Sequence, residues 1–114
     1  MRRLALAVAL VGGAAAAQEP PARAATYLCD GPAVLRVVYV NQPGAEPMAV
    51  VDWGGALVPM RAARTGSGAF YVDLDEQRGL RWRTKGAEGF LARLAPDHTA
   101  EETRLLSGCV AVEG

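Results

Sequence analysis

Turn-forming residues recur along this chain at close intervals and leave few stretches long enough for a regular helix. Clusters that contain glycine or proline occupy residues 31–32, 42–44, 54–55, 66–68 and 85–86. Such residues adopt positive φ angles or prevent continued strand pairing, so they separate short elements. The segments between them alternate apolar and polar residues with a period of two, which is typical of β-strands. The sequence therefore predicts an all-β domain.

The alternating segments predict eight short strands. They are placed at residues 26–30, 34–41, 48–53, 56–62, 69–74, 79–84, 89–94 and 106–112. Eight strands in this length fit a small antiparallel β-barrel, closed or nearly closed, because closure removes the unpaired edges of a sheet. The polar segment 96–104 is compatible with one turn of helix, since Asp97 resembles a weak N-cap.

The alternation is clearest just before the turn at residues 85–86. Leu80, Trp82 and Thr84 are expected on one face of the strand, and Arg81, Arg83 and Lys85 on the other. Lys85 should therefore emerge on the solvent face, at the end of a strand.

The N-terminal residues 1–17 predict a secretory signal peptide. Arg2 and Arg3 precede an apolar run, and the small residues 14–17 suit cleavage after Ala17, with a cut after Ala24 as the alternative. The apolar run is far shorter than the roughly 18 to 20 residues that span a bilayer, and no cysteine follows it at a lipidation position. We expect a soluble periplasmic protein without membrane span or lipid anchor. Residues 18–25 are expected as a short linker, and 26–114 as the domain.

The two cysteines, Cys29 and Cys109, enclose almost the whole predicted domain. Only one pairing is open to them, and an oxidising compartment favours it, so a disulfide is predicted. On the chain-entropy view a bridge closing a loop of this length stabilises the fold by roughly 4 to 5 kcal/mol. The cysteines and the lone His98, placed in a loop composition, lack the spacing of a metal site, and neither metal nor cofactor is expected.

Composition argues against nucleic acid as a partner. Without residues 1–17 the chain keeps ten basic and twelve acidic residues, which gives a net charge of −2. Binding to nucleic acid depends on a cationic surface that neutralises phosphates, so a mature chain of this balance is not expected to bind it.

Four motifs then follow one another in order. Residues 27–31 read Tyr-Leu-Cys-Asp-Gly, residues 67–71 read Ser-Gly-Ala-Phe-Tyr, residues 82–91 read Trp-Arg-Thr-Lys-Gly-Ala-Glu-Gly-Phe-Leu, and Cys109 closes the series. In this order they resemble the periplasmic and membrane-bound inhibitors of c-type lysozyme. The resemblance covers nearly all of the mature chain, and it implies a small eight-stranded antiparallel barrel held by one disulfide.

The same resemblance implies a binding mode. The loop around Ser67 is expected to enter the active-site cleft of a c-type lysozyme, while Lys85 approaches the same catalytic carboxylates. The lysozyme-binding residues implied in this way are Ser67, Gly68, Phe70, Tyr71, Lys85 and Gly86.

Three positions in these motifs leave questions open. Tyr71 is expected either to brace the loop or to touch the partner. Phe70 stands where the family often has a polar or basic residue, so it either adds contact area or misfits the cleft. Gly89 replaces a somewhat larger small residue.

Other functional classes fit the residues less well. A Ser–Lys catalytic pair needs a desolvated lysine, whereas Lys85 lies in an expected exposed turn beside Arg83, so no enzyme is predicted. A barrel that binds a small ligand or glycan needs a cavity, and a chain this short is expected to fill its barrel with its own side chains. The alternative function is an envelope interaction module that keeps the barrel and binds a different partner through the same loops.

Overall fold

Residues 21–97 and 101–112, which are the ones described by the computed structural model, form an antiparallel β-barrel. The eight strands are β1 (Ala22–Leu28), β2 (Val34–Val40), β3 (Met48–Trp53), β4 (Ala56–Ala63), β5 (Ala69–Asp73), β6 (Leu80–Lys85), β7 (Glu88–Arg93) and β8 (Thr103–Val112). Each strand pairs with the next, and β8 pairs with β1 to close the barrel. The predicted eight-stranded antiparallel barrel is confirmed.

Two strands begin three or more residues earlier than predicted. β1 starts at Ala22, so the end of the expected linker 18–25 belongs to the barrel. Alanine favours strands poorly on its own, but residues 22–25 pair in register with residues 37–40 of β2. β8 starts at Thr103 and takes in the end of the segment considered for a helical turn. Within the described residues no helix is long and apolar enough to cross a membrane. The expected signal peptide 1–17 and His98 lie outside the described residues.

The barrel interior is filled by side chains that point inward from alternate strand positions. In β2, for example, Leu35, Val37 and Tyr39 are buried while the residues between them are exposed. The largest fully buried side chain is that of Trp82, on β6. Burying one large apolar side chain stabilises a fold by roughly 1.5 to 3 kcal/mol, so this packed interior is the main source of stability.

A hydrogen-bonded aromatic cluster lies inside this core. The hydroxyl groups of Tyr27 and Tyr39 are 2.6 Å apart, and the indole N–H of Trp82 donates to the Tyr39 oxygen over 2.9 Å. Burial, together with the hydrogen bond shared with Tyr27, raises the pKa of Tyr39 well above its usual range, so its hydroxyl stays neutral. The cluster ties β1 and β2 to β6. It therefore fixes Trp82, three residues before Lys85.

The predicted disulfide joins Cys29 to Cys109 at the seam where the barrel closes. The register of β1 and β8 pairs Leu28 with Val110, and the two cysteines come next along these strands. Cys109 also lies opposite Gly89 of β7. The bridge therefore links the end of β1 covalently to β8, which pairs with β7 on its other side.

Candidate functional site

A surface cleft of about 450 Å³ lies where the loop between β4 and β5 meets the hairpin between β6 and β7. Ser67 lines it from the loop and Lys85 from the hairpin. Gly108, Cys109 and Val110 of β8 also line it. The structure thus brings together the two residues singled out from the sequence, which are separated by a whole strand.

The loop that carries Ser67 is seated on β6 by Gly68. Ser67 is exposed, and its carbonyl oxygen accepts a hydrogen bond of 3.2 Å from the Thr65 hydroxyl. Gly68 has a φ of 69°, a conformation that residues with a Cβ rarely adopt. A Cβ atom at this position would collide with the carbonyl oxygen of Thr84. Only glycine allows the loop to approach β6 this closely.

Lys85 is the last residue of β6 and is exposed, as the alternation predicted. The strand turns back through two residues, Gly86 and Ala87, and Gly86 has a φ of 62°. A two-residue hairpin loop with glycine at its first position is the favoured connection of twisted antiparallel strands. The ion pairs of the described residues involve Arg78, Arg81 and Arg83 but not Lys85. Its ammonium group is therefore available to a partner.

Phe70 and Tyr71 point to opposite sides of β5. Phe70 lies on the outer face, where its ring stacks against the guanidinium group of Arg83. Tyr71 is buried inside the barrel, with its ring centroid 5.7 Å from that of Tyr39. This burial raises the pKa of Tyr71. Tyr71 therefore lies inside the barrel and not on the exposed surface of the Ser67 loop.

Gly89 of β7 faces the ring of Trp82 of β6. A Cβ atom here would lie 2.8 Å from the Trp82 ring and 2.8 Å from the Arg83 carbonyl oxygen. The glycine therefore accommodates the ring of Trp82 beneath β7. The difference from the family pattern at position 89 has a packing explanation.

The cleft has an excess of positive charge. Arg83, Lys85 and Arg104 line it, whereas Glu88 is the acidic residue among the lining side chains. This charge is opposite in sign to the net charge of −2 expected for the mature chain. A cationic concavity on an acidic protein favours an anionic group of a partner.

Sequence reasoning missed the contribution of Arg104 and of β8 as a whole. The pairing of β7 with β8 contains register shifts between Gly89 and Leu91 and between Leu91 and Ala92. Such irregularities cannot be read from the local alternation of either strand. The sequence does contain a signal for this face. It is the group of charged residues Arg81, Arg83, Glu102 and Arg104.

The described residues hold no cluster of three or more His, Cys, Asp and Glu side chains that could bind a metal ion.

Comparison with known proteins gives two results. The family model of the membrane-bound lysozyme-inhibitor of c-type lysozyme matches residues 27–100. The crystal structure of a periplasmic lysozyme inhibitor of C-type lysozyme from Salmonella typhimurium has the same fold, with a TM-score of 0.70 and 24% sequence identity. The match covers 82% of this chain and 100% of that one. No curated protein sequence matches significantly.

Proposed function

Because this chain belongs to the family of membrane-bound lysozyme inhibitors of c-type lysozyme, we propose that it inhibits such a lysozyme by inserting the Ser67 loop and Lys85 into the active-site cleft. The family is described as one of inhibitors, which places the chain among binding proteins and not among enzymes. The observation that carries the proposal is the convergence of Ser67 and Lys85 on one exposed, cationic surface.

The chemistry of the partner suits these two side chains. A retaining glycosidase such as lysozyme carries two carboxyl groups about 5 to 5.5 Å apart, one held as an acid and one ionised. A serine hydroxyl donates a hydrogen bond to a carboxyl oxygen, and an ammonium group pairs with a carboxylate. Each charge-assisted hydrogen bond contributes roughly 1.5 to 3 kcal/mol. A lysozyme occupied in this way has no room for its glycan substrate.

Backbone geometry supports a defined approach of both side chains. Gly68 fixes the Ser67 loop against Thr84, and Lys85 follows Thr84 directly in β6. The backbone positions that carry the hydroxyl and the ammonium group are therefore fixed relative to each other instead of lying on two independent loops. Groups that are already positioned lose less conformational entropy on binding, so more of their interaction energy appears as affinity.

The proposed function also implies a compartment, which is the periplasm. An exported protein with a stabilising disulfide meets lysozyme in the periplasm, where the enzyme attacks the cell wall. Export itself rests on the expected signal peptide over residues 1–17. The competing proposal, an envelope module with another partner, would use the same cleft.

The proposal is tested by titrating purified mature protein against a c-type lysozyme in a cell-wall lysis assay, alongside a direct binding measurement. We expect stoichiometric loss of lytic activity. Ser67→Ala and Lys85→Ala should each weaken binding by about 10- to 100-fold, since each removes one charge-assisted hydrogen bond. Both positions are exposed, so thermal unfolding should stay nearly unchanged.

Arg36→Ala serves as the matched control for loss of a positive charge, because Arg36 is exposed on β2 and does not line the cleft. Full lysozyme activity without any binding would contradict the proposal and favour the envelope module. Undiminished inhibition by the Ser67→Ala/Lys85→Ala double variant would refute the roles of these two residues.

A further inference from the structure

Two arginines beside the cleft are each held against a phenylalanine ring. The Cζ atom of Arg83 lies 3.9 Å from the ring centroid of Phe70, and the Cζ atom of Arg104 lies 3.7 Å from that of Phe90. We call these four side chains the arginine–phenylalanine ladder. Arg83, Phe90 and Arg104 line the same cleft as Lys85. The ladder is therefore continuous with the proposed lysozyme-binding site.

Strand register explains how the ladder forms. Phe70 of β5 lies directly opposite Arg83 of β6, which in turn lies opposite Phe90 of β7. Residues directly opposite each other in antiparallel strands have side chains on the same face and within contact distance. Arg104 adds to the row from β8 by stacking on Phe90. Four neighbouring strands thus present alternating rings and cations on one outer face.

Glu102 holds Arg83 from a second side. Its carboxylate accepts hydrogen bonds from Arg83 over 2.8 Å and from Arg81 over 3.3 Å. A guanidinium group has five N–H donors, and Glu102 receives one of those of Arg83. The side chain of Arg83 also remains 35% exposed. Arg83 is therefore fixed in orientation while it retains donors for a further acceptor.

We propose that the arginine–phenylalanine ladder is a second contact surface of this inhibitor, on which Arg83 and Arg104 bind carboxylate groups at the rim of the lysozyme cleft. The inference rests on the proposed function, because it takes lysozyme to be the partner that occupies the cleft. Arginine binds carboxylates through a planar fork, and pre-oriented arginines are among the side chains that contribute most to protein interfaces.

The size of a stable interface also favours a second surface. A typical specific complex buries about 800 Å² on each partner. The loop around Ser67 and the two-residue turn after Lys85 are short, and adjacent surface must supply the rest. The ladder lies directly beside Lys85 and has the charge sign that a carboxylate-bearing cleft requires.

Within this surface Phe70 is a positioning residue. Its ring supports the guanidinium group of Arg83, so it acts on the partner through that arginine. An aromatic residue at position 70 is then neither a simple gain of contact area nor a misfit. Its ring holds the guanidinium group of Arg83 in place, which the polar or basic residues often found at this position in the family would not do.

The test measures lysozyme affinity by calorimetry at low and high salt for Arg83→Ala, Arg104→Ala and Phe70→Leu. We expect about tenfold weaker binding for each arginine variant and a shallower salt dependence, because an ionic contact is lost. Arg83→Lys should recover only part of the affinity, since lysine lacks the planar fork. Arg36→Ala, on a distant strand, should bind like the parent protein.

A double-mutant cycle separates the positioning role from a structural one. Phe70→Leu keeps an apolar side chain but removes the aromatic face, and we expect a loss of affinity of a few fold. The same substitution should have no further effect in the Arg83→Ala background. Equal loss in both backgrounds would overturn the role of Phe70.

The failure of this inference is distinguishable from that of the proposed function. If the parent protein binds lysozyme and the two arginine variants bind equally well, the ladder is not a contact surface and the Ser67–Lys85 proposal stands. If the parent protein does not bind lysozyme at all, the proposed function fails and the inference fails with it. Unchanged thermal unfolding of the arginine variants guards against loss of fold as the cause.

Discussion

Gly68 connects the two halves of the proposed site at the level of a single residue. Its backbone conformation and its close approach to Thr84 both exclude a side chain. Gly66, two residues earlier, has open space around it. The two glycines of one loop thus have different physical roles. A substitution at Gly66 is therefore a control for the same substitution at Gly68.

We predict that Gly68→Ala lowers stability by about 1 to 3 kcal/mol and weakens inhibition together with it, because a strained backbone and a displaced loop follow from the added methyl group. Gly66→Ala should leave stability nearly unchanged, because its added methyl group meets open space. Urea unfolding and the lysis assay measure the two effects. Equal behaviour of the two variants would show that Gly68 does not seat the loop.

Residue positions differ in how far the sequence predicts them. The inward Trp82 and outward Lys85 follow from a period of two within one strand, which is local information. The stacking of Arg104 on Phe90 depends on how β7 and β8 align across a bulge, and no local pattern contains that alignment. The sequence therefore predicts which side chains face outward better than it predicts which of them meet.

The connection between β5 and β6 is organised around one buried carboxylate. Asp73 accepts hydrogen bonds from the Arg78 guanidinium group over 2.7 and 2.9 Å, and from the backbone amides of Asp75 and Leu80 over 2.8 and 3.2 Å. Burial alone would raise the pKa of Asp73, but these hydrogen bonds outweigh it and lower the pKa below its usual range. The ionised form therefore stabilises the turn.

This turn predicts an acid-sensitive contribution to stability. The pKa of Asp73 in the folded state lies below the unfolded value of about 3.9, so its contribution is complete above that value and is lost as the pH falls through the folded pKa. Asp73→Asn should lower stability at neutral pH by about 1 to 3 kcal/mol and reduce the acid dependence.

Urea unfolding from pH 7 down to pH 2 measures both effects, with Asp75→Asn as the control, because the Asp75 side chain is exposed and, among the residues that the structure describes, accepts a hydrogen bond from the amide of Gln77 alone. An Asp73→Asn variant with the same acid dependence as the parent would show that another group controls it.

At the scale of the whole molecule, the disulfide lies at the seam that turns a sheet into a barrel. It spans 80 residues of sequence and joins strands that pair over only three registered positions, Thr26, Tyr27 and Leu28 with their partners in β8. The neighbouring pairing of β1 with β2 extends over seven positions. The short seam is where a covalent bond adds most to closure.

We predict that reduction of Cys29–Cys109 lowers the free energy of unfolding by roughly 4 to 5 kcal/mol, because the unfolded chain gains the freedom that the bridge removes. Inhibition of lysozyme should decline with it as the cleft residues of β8 loosen. Urea unfolding with and without reductant gives the change, and a Cys29→Ser/Cys109→Ser variant must be insensitive to reductant. Unchanged stability on reduction would contradict the assigned role of the bridge.

The architecture could be predicted at this scale because clusters of turn residues mark five of the seven connections between strands, and eight strands in a short chain have few ways to remove their edges. The early start of β1 could not, because its alanines become strand residues only through pairing with Val37–Val40 of β2. The pairing register with β2, and not the local composition, therefore determines where β1 begins.

The last strand closes the barrel, so the cleft can be completed only after that strand has been synthesised. Ser67 and Lys85 are synthesised before residues 103–112, yet four residues of that final strand line the cleft in which they meet. A nascent chain that does not yet include Cys109 therefore has the proposed contact residues without the surface that arranges them. The proposed binding site is therefore complete only once the last ten described residues have paired.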